Sequence, residues 1–354
     1  MSAKVSVIIP TFERVALLRE AVESALAQTH PDLEVVVVDD GSSDGTPELV
    51  AGIAARDARV RYERQPNAGA AAARNTGLAA SSGDFVAFLD SDDSWAPWHL
   101  SLMLAGLERY PEAGLIWSDT DFVDVGGQVV ASRAIDQLLG NWHHFPPDRL
   151  FSTATRLGDL GVEIPMADHD RRLFVGDIAE AMIAGNLVLT SSTVMRRSRV
   201  EQAGRFDPTF TVGEDYDFFV RACRAGPVAF ADVADVRYRV GTPDKLAQPS
   251  ASLAMAIAYL RVLDATAAAG GSDVKAPTRM IADARAHAFG WIGEQQLLAG
   301  SNGPARRNLA RSLRIRPAHA GVLLLAILSF LPSSTVRRLV GLRRKARHRL
   351  GWGA

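Results

Sequence analysis

Val35-Val36-Val37-Val38-Asp39-Asp40-Gly41-Ser42-Ser43-Asp44-Gly45-Thr46-Pro47 is the stretch that decides the fold. Four consecutive valines make an extended segment apolar on both faces, as expected of a strand in a parallel sheet covered by helices. The acids and glycines that follow end the strand, and Thr46-Pro47 offers a capping side chain and a helix-compatible proline. On either side the alternation continues, with Val5–Pro10 and Leu17–Gln28 before it and Pro47–Ala55, Val60–Arg64, Ala70–Ala80 and Phe85–Asp90 after it. This βαβ series predicts a doubly wound α/β sheet, in which ligands bind beyond the carboxyl ends of the strands.

The chain at those ends reads Pro10-Thr11-Phe12-Glu13, Asp39-Asp40-Gly41-Ser42-Ser43 and Asp90-Ser91-Asp92-Asp93. None is a glycine-rich phosphate cradle, which argues against a nicotinamide enzyme or an ATPase. In an extended segment Asp90 and Asp92 project from one side and can converge on a hard cation such as Mg²⁺ or Mn²⁺. A solvated acidic turn is the plainer alternative. Asp39 and Asp40 can accept a hydrogen bond from the ring N–H of a uracil-like base, or can serve turn chemistry alone. Arg74 presents a fork of donors suited to a diphosphate, although an exposed helical arginine needs no ligand. Glu214-Asp215 precedes a helical pattern, where acids also favour the helix dipole.

Taken in order, Val5-Ser6-Val7-Ile8-Ile9-Pro10-Thr11-Phe12, Val38 to Thr46, Asn67-Ala68-Gly69 with Ala73-Arg74-Asn75, Gly83 to Asp93, and Gly213-Glu214-Asp215 resemble glycosyltransferase family 2 over roughly the first 240 residues. The resemblance implies an inverting enzyme of the GT-A fold, a mixed sheet with a Rossmann-like nucleotide-binding half. It implies a nucleoside-diphosphate sugar donor, UDP-linked by preference, and Mn²⁺ or Mg²⁺. Carried over by position, Pro10, Thr11, Phe12 and Glu13 line the nucleoside pocket. Asp39 or Asp40 binds the base, Arg74 faces the phosphates, and Asp92 holds the metal. Asp90 and Ser91 lie nearer the ribose and phosphates. Asp215 is the implied catalytic base beside Glu214, with Asp217 a less favoured one. Phe12 and Glu13 depart from the family's commoner Tyr-Asn. A sugar-nucleotide pyrophosphorylase would need a glycine-rich, basic loop after the first strand, and a dead binding module would be expected to have lost an acid at one of the sites.

Other features are bland or concern the tail. Cys223, the single cysteine, suits a reducing compartment and reads as a small core residue. No secretory signal precedes the first strand, so a cytoplasmic protein is expected. His143, His144 and His169 lack metal-ligand spacing, and Trp95, Trp98 and Trp117 read as core or interface. The span from Gly126 to Val175 has no assignable pattern. Residues 1–245 are expected to form the GT-A domain, 246–300 a helical extension and 301–354 a tail. The helices are expected at Ser250–Ala269 and Met280–Ala299, with a loop at Gly270-Gly271-Ser272. The tail holds twelve Arg or Lys and no acid, leaving about −13 on the first 300 residues. Its apolar run Ala320–Leu331 is too short to span a bilayer. The tail therefore suits peripheral attachment to an anionic membrane rather than nucleic acid, and that would bring the enzyme to a glycan or lipid-linked acceptor in cell-surface polysaccharide synthesis.

Overall fold

The computed structural model describes residues 3–139, 142–242, 252–268 and 278–349. The elements run β1 Val5–Thr11, α1 Val15–Leu26, β2 Leu33–Asp39, α2 Thr46–Ala54, β3 Val60–Arg64, α3 Ala70–Ala80, β4 Phe85–Phe88, β5 Ser94–Trp95, α4 His99–Arg109 and β6 Leu115–Val123. They continue β7 Val129–Ala131, α5 Ile135–Leu138, α6 Pro147–Leu150, β8 Thr153–Arg156, β9 Arg172–Gly176, β10 Val194–Arg196, α7 Arg197–Ala203, α8 Glu214–Arg224 and β11 Val228–Arg239. Five helices follow: α9 Ser252–Ala268, α10 Thr278–Leu298, α11 Asn302–Ile315, α12 Ala320–Leu328 and α13 Ser333–Arg349.

The strands form one mixed sheet in the order β3-β2-β1-β4-β10-β6-β11-β9-β8, with β5 on β11 and β7 on β6. Every residue of β1 and β2 is buried, as the valine run predicts. Their parallel register ends by pairing Thr11 with Asp39, which sets the first two strand-end loops side by side. β4 lies parallel to the other side of β1 and pairs Ile8 with Phe88, so the Asp90 turn emerges at the same edge. Antiparallel β10 then separates β4 from β6 and makes the sheet mixed.

The stretch without sequence pattern builds the far edge, where β8 pairs β9 and β9 pairs β11, both antiparallel. Strands of three to five residues with exposed positions are too short to show a period. On one face of this edge Trp117, Phe230 and Phe174 sit in register across β6, β11 and β9. Trp142 and Phe151 pack on them, with Trp142 and Phe230 centroids 4.7 Å apart. Trp117 is thus core. Trp95 is buried as well, its indole N–H donating to Ser191 O at 2.6 Å. Cys223 is buried, and burial pushes its thiol up to about 12, which makes it inert.

The chain divides into two compact units, Met1–Met182 with Asn186–Asp244, and Ile183–Gly185 with Lys245–Ala354. The expected boundary at 245/246 and the Gly270-Gly271-Ser272 loop lie outside the described residues. In the second unit α9 and α10 come within two residues of their expected limits. Here the tail is helical, and Leu297, Ala305, Leu309, Val322, Leu325, Val336 and Val340 form its core.

α3 approaches β1 closely because Gly77 has no side chain: a Cβ there would sit 2.4 Å from Ile8 Cγ2. Overpacking of this kind typically costs about 1–3 kcal/mol. Gly77→Ala should therefore lower the denaturant midpoint of unfolding by a corresponding amount, measurable by urea titration.

Candidate active site

The loops after β1 and β2 are locked together by hydrogen bonds. Ser42 Oγ accepts the Glu13 N–H at 2.9 Å, and Glu13 Oε1 accepts the N–H and hydroxyl of Ser43 at 2.7 and 2.8 Å. Glu13 holds a φ of 52°, a left-handed conformation that asparagine tolerates better than glutamate, so those three bonds hold it in an uncommon backbone state. Phe12 beside it is exposed, while Pro10 and Thr11 are buried. Thr11 Oγ1 has no hydrogen-bond partner.

The adjacent acids Asp39 and Asp40 have separate duties. Asp40 accepts from Gln65 Nε2, Ala68 N and Gly69 N at 2.7 to 2.9 Å, which ties the end of β2 to the start of α3. Asp39 accepts from Ser42 N at 2.8 Å and from the Tyr62 hydroxyl at 2.6 Å. Gly41 between β2 and this loop is required: its φ is 86°, and a Cβ would meet Asn67 N at 2.9 Å.

Asp90, Ser91, Asp92 and Asp93 do not form the extended segment that alternation assumed. β4 stops at Phe88, and the four residues make a turn closed by Asp93 N–H to Asp90 O at 3.1 Å. The turn sends its acids to different partners. Asp93 accepts from Ser191 Oγ at 2.6 Å and Arg239 N at 3.0 Å, and so anchors the turn to β11 and to the loop before β10. Asp92 lies 3.3 Å from Arg14 Nη1 and is nearly buried. Asp90 is the most exposed of the three and accepts from Arg74 Nη2 at 2.8 Å.

Arg74 itself is buried. Its Nη1 donates to Glu214 Oε1 at 2.8 Å while Nη2 holds Asp90, and its guanidinium lies over the Phe206 ring at 5.5 Å. The charge that was expected to face phosphates thus bridges two carboxylates, and its Nε has no hydrogen-bond partner. Phe206 stacks on Phe218 of α8 at 4.1 Å, so the same aromatic layer supports Arg74 and the helix carrying Asp215.

α8 starts after Gly213, at φ 78°, and places Glu214, Asp215 and Asp217 in its first turn. Asp217 pairs with Arg221 one turn on, at 2.6 Å. Asp215 is different: Asn186 Nδ2 and Thr190 Oγ1 reach its Oδ2 only at 3.4 and 3.5 Å. Burial pushes its pKa up to about 6, Glu214 and Asp90 push the same way, and Arg74 and the Tyr216 N–H pull it down. The Tyr238 hydroxyl is likewise raised, first by burial and then by Asp93, Asp90, Asp92 and Asp215, so the Asp90 turn and Asp215 act on one phenol. Asn186, Thr190, Ser191 and Tyr238 were not singled out from sequence. The only signal for the first three is a cluster of hydroxyls and an amide around the apolar run Leu187-Val188-Leu189.

Among the described residues no group of three or more His, Cys, Asp or Glu forms a ready-made metal cage. Two turn carboxylates, Asp90 and Asp92, nevertheless suit a hard cation that takes its remaining oxygens from a substrate phosphate. His169 belongs to a different network, its Nε2 lying 3.3 Å from Ile164 O.

A mixed sheet with acids at the ends of β1, β2 and β4 and a carboxylate at the start of α8 defines a GT-A fold. The profile described as glycosyl transferase family 2 matches residues 6–151. A succinoglycan biosynthesis protein, ExoW, of Rhizobium meliloti is 32% identical over 226 residues, covering 61% of this chain and 62% of its own. An uncharacterized glycosyltransferase of Rickettsia bellii is 40% identical over 141 residues, 39% of this chain and 20% of its own. The chain therefore spans less than two thirds of these relatives. S. aureus TarS shares the fold at a TM-score of 0.56 and 17% identity, with 92% of this chain and 54% of that one covered. The mannosyltransferase PcManGT of Pyrobaculum calidifontis, in complex with GDP-Man and Mn²⁺, matches at 0.55 and 20% identity over 96% and 85%.

Removing one partner from a buried ion pair typically costs about 3–5 kcal/mol. Arg74→Met should destabilise the fold to that order. It should also move Asp215 above its value of about 6, since the charge that pulls it down is gone. Chemical denaturation and carboxyl ¹³C titration of the variant would read the two effects separately.

Proposed function

We propose that the chain is an inverting glycosyltransferase that moves a sugar from a nucleoside-diphosphate donor, UDP-linked by preference, to an acceptor hydroxyl. The observation that carries this is Asp215: a half-buried carboxylate with a raised pKa, set on the same buried arginine network as the strand-end acids. The family match over residues 6–151 supports the class. The relative named for succinoglycan synthesis and the TarS structure solved with UDP-GlcNAc support cell-surface polysaccharide synthesis and the uridine preference as working expectations. The acceptor is a glycan or a lipid-linked sugar.

On this reading Thr11, with its unpartnered hydroxyl, and Asp39 meet the nucleoside, while Asp40 holds the loop that starts α3. Asp90 and Asp92 would hold Mn²⁺ or Mg²⁺, which when bound supplies positive charge to the leaving diphosphate. Arg74 keeps Glu214 and Asp90 from repelling Asp215 and retains Nε–H as a donor. Asp215 takes the proton of the acceptor hydroxyl. The acceptor oxygen then bonds to the anomeric carbon as the bond from that carbon to the phosphate oxygen breaks. One displacement inverts the centre, and the nucleoside diphosphate leaves.

The base works as a carboxylate, so turnover should fall as pH drops below about 6, where Asp215 becomes protonated. A rate flat from pH 5 to 8 would remove Asp215 from the role. Asp215→Asn should bind donor as before yet turn over at least ~10²-fold more slowly, the lower end of what general bases contribute. The raised pKa also has a stability sign. An ordinary Asp value near 3.8 in the unfolded chain against about 6 in the folded one means that stability is lost as pH rises through this window. Asp215→Asn should therefore melt higher than the parent protein at pH 8, with a smaller difference at pH 4.

Asp92→Ala tests the cation. Calorimetry of UDP-sugar binding with Mn²⁺ or EDTA should show a cation-dependent affinity in the parent protein that the variant lacks. Equal affinity in both conditions would sink that part. Release of nucleoside diphosphate across a panel of nucleotide sugars tests the class itself, and its absence with every donor and acceptor tried would leave a binding module.

A further inference from the structure

The helical unit has a surface that its own core does not account for. α12 turns Val322 and Leu325 inward to pack with Leu309, Val336 and Val340, and Ser329, four residues on, is buried as well. The opposite side presents Leu323, Leu324, Ile327, Phe330 and Leu331 to solvent, with Ile327 exposed to 61% and Phe330 to 77%. Single exposed apolar residues are ordinary, but five within nine positions make a patch of the kind that marks a partner surface. The patch is held in place. His319 Nδ1 accepts the Val322 N–H at 3.1 Å, Arg306 donates to Ser329 O at 3.0 Å, and Asn302 donates to Leu331 O at 3.0 Å.

The surroundings are positive. Arg306, Arg307 and Arg314 on α11 and Arg337 and Arg338 on α13 are exposed, and no acid occurs after Gly300. Arg306 lies over the Phe330 ring at 5.0 Å, which puts a cation directly beside the most exposed apolar side chain. Among the described residues no helix is long and apolar enough to cross a membrane.

We propose that this face docks on an anionic lipid bilayer, with α12 in the plane of the interface. Leu323, Ile327 and Phe330 enter the acyl boundary, and the arginines of α11 and α13 meet lipid phosphates. Apolar insertion and charge attraction combine here as in interfacial helices generally. Nucleic acid would use the arginines but leave the apolar patch in water. A second copy would bring arginine against arginine. The proposal rests on the helical unit alone and stands whether or not the chain transfers sugar.

Vesicle co-sedimentation of the full chain tests it, with phosphatidylcholine vesicles and with vesicles containing phosphatidylglycerol, at low and high salt. Partition into the anionic vesicles at low salt is expected, with weakening at high salt as charges are screened. The double substitution Ile327→Asp with Phe330→Asp should reduce partition at least ~tenfold, as should Arg337→Glu with Arg338→Glu. All four side chains are exposed, so thermal melts of both variants should match the parent and separate lost binding from misfolding. An intact protein that stays in the supernatant with anionic vesicles at low salt overturns the proposal. So does undiminished binding by the Ile327/Phe330 variant. Binding to duplex DNA in place of vesicles would reassign the face to nucleic acid, and a concentration-dependent dimer abolished by the Ile327/Phe330 variant would reassign it to a second copy.

Discussion

A single guanidinium joins three parts of the sheet domain. Arg74 comes from α3, Asp90 from the turn after β4 and Glu214 from the start of α8; both ion pairs are 2.8 Å, and Arg74 and Glu214 are nearly shut off from solvent while Asp90 stays partly exposed. A buried pair of this kind adds little net stability compared with apolar packing, yet breaking it is costly because a charge is left without a partner. Its effect is therefore geometric. With Arg74 in place, the acids of the Asp90 turn and of α8 can share one region; without it, Glu214, Asp215 and Asp90 would repel each other in a poorly solvated space.

That constraint separates acids that look equivalent in sequence. Asp40 is saturated by two backbone amides and Gln65, Asp93 by Ser191 and the Arg239 amide, and Asp217 by Arg221. These three position the loops and the helix. Asp215, by contrast, meets its side-chain partners Asn186 and Thr190 only at 3.4 and 3.5 Å and has a pKa raised towards neutrality. Proton transfer near neutral pH needs a carboxylate of this kind, because an Asp at its ordinary value is too weak a base.

The β1–β4 half of the sheet was legible in sequence because β1 and β2 are buried on both faces. The run Val35 to Val38 and the limits of β3 and α3 follow from apolar pattern and turn residues alone. What pattern could not show is long-range. Alternation predicts an extended segment at Asp90 because it says nothing of a hydrogen bond between Asp93 N and Asp90 O. Arg74 reads as a phosphate ligand when only its neighbours in sequence are seen, yet one of its partners is 140 residues away. Asn186 and Thr190 lie in a segment of short 3₁₀ turns, where no period marks a residue as facing the site. The far edge of the sheet was illegible for the same reason, its strands being too short for alternation to register.

Charge balance gives the reading of the site an independent argument. The first 300 residues carry about −13, and a nucleoside diphosphate adds further negative charge. The three arginines at the Asp90 turn are already paired, Arg74 with Glu214 and Asp90, Arg14 with Asp92, and Arg239 with Glu20. None of them would bring uncompensated positive charge to a donor. A diphosphate set against Asp90 and Asp92 is therefore opposed by their charge unless a cation joins all three. Oxygen-rich, only partly protein-supplied coordination is what Mg²⁺ and Mn²⁺ accept. On the proposed function, the same acids that would repel the donor would favour a cation-bridged complex with it, and donor affinity and cation occupancy would be linked through one pair of carboxylates.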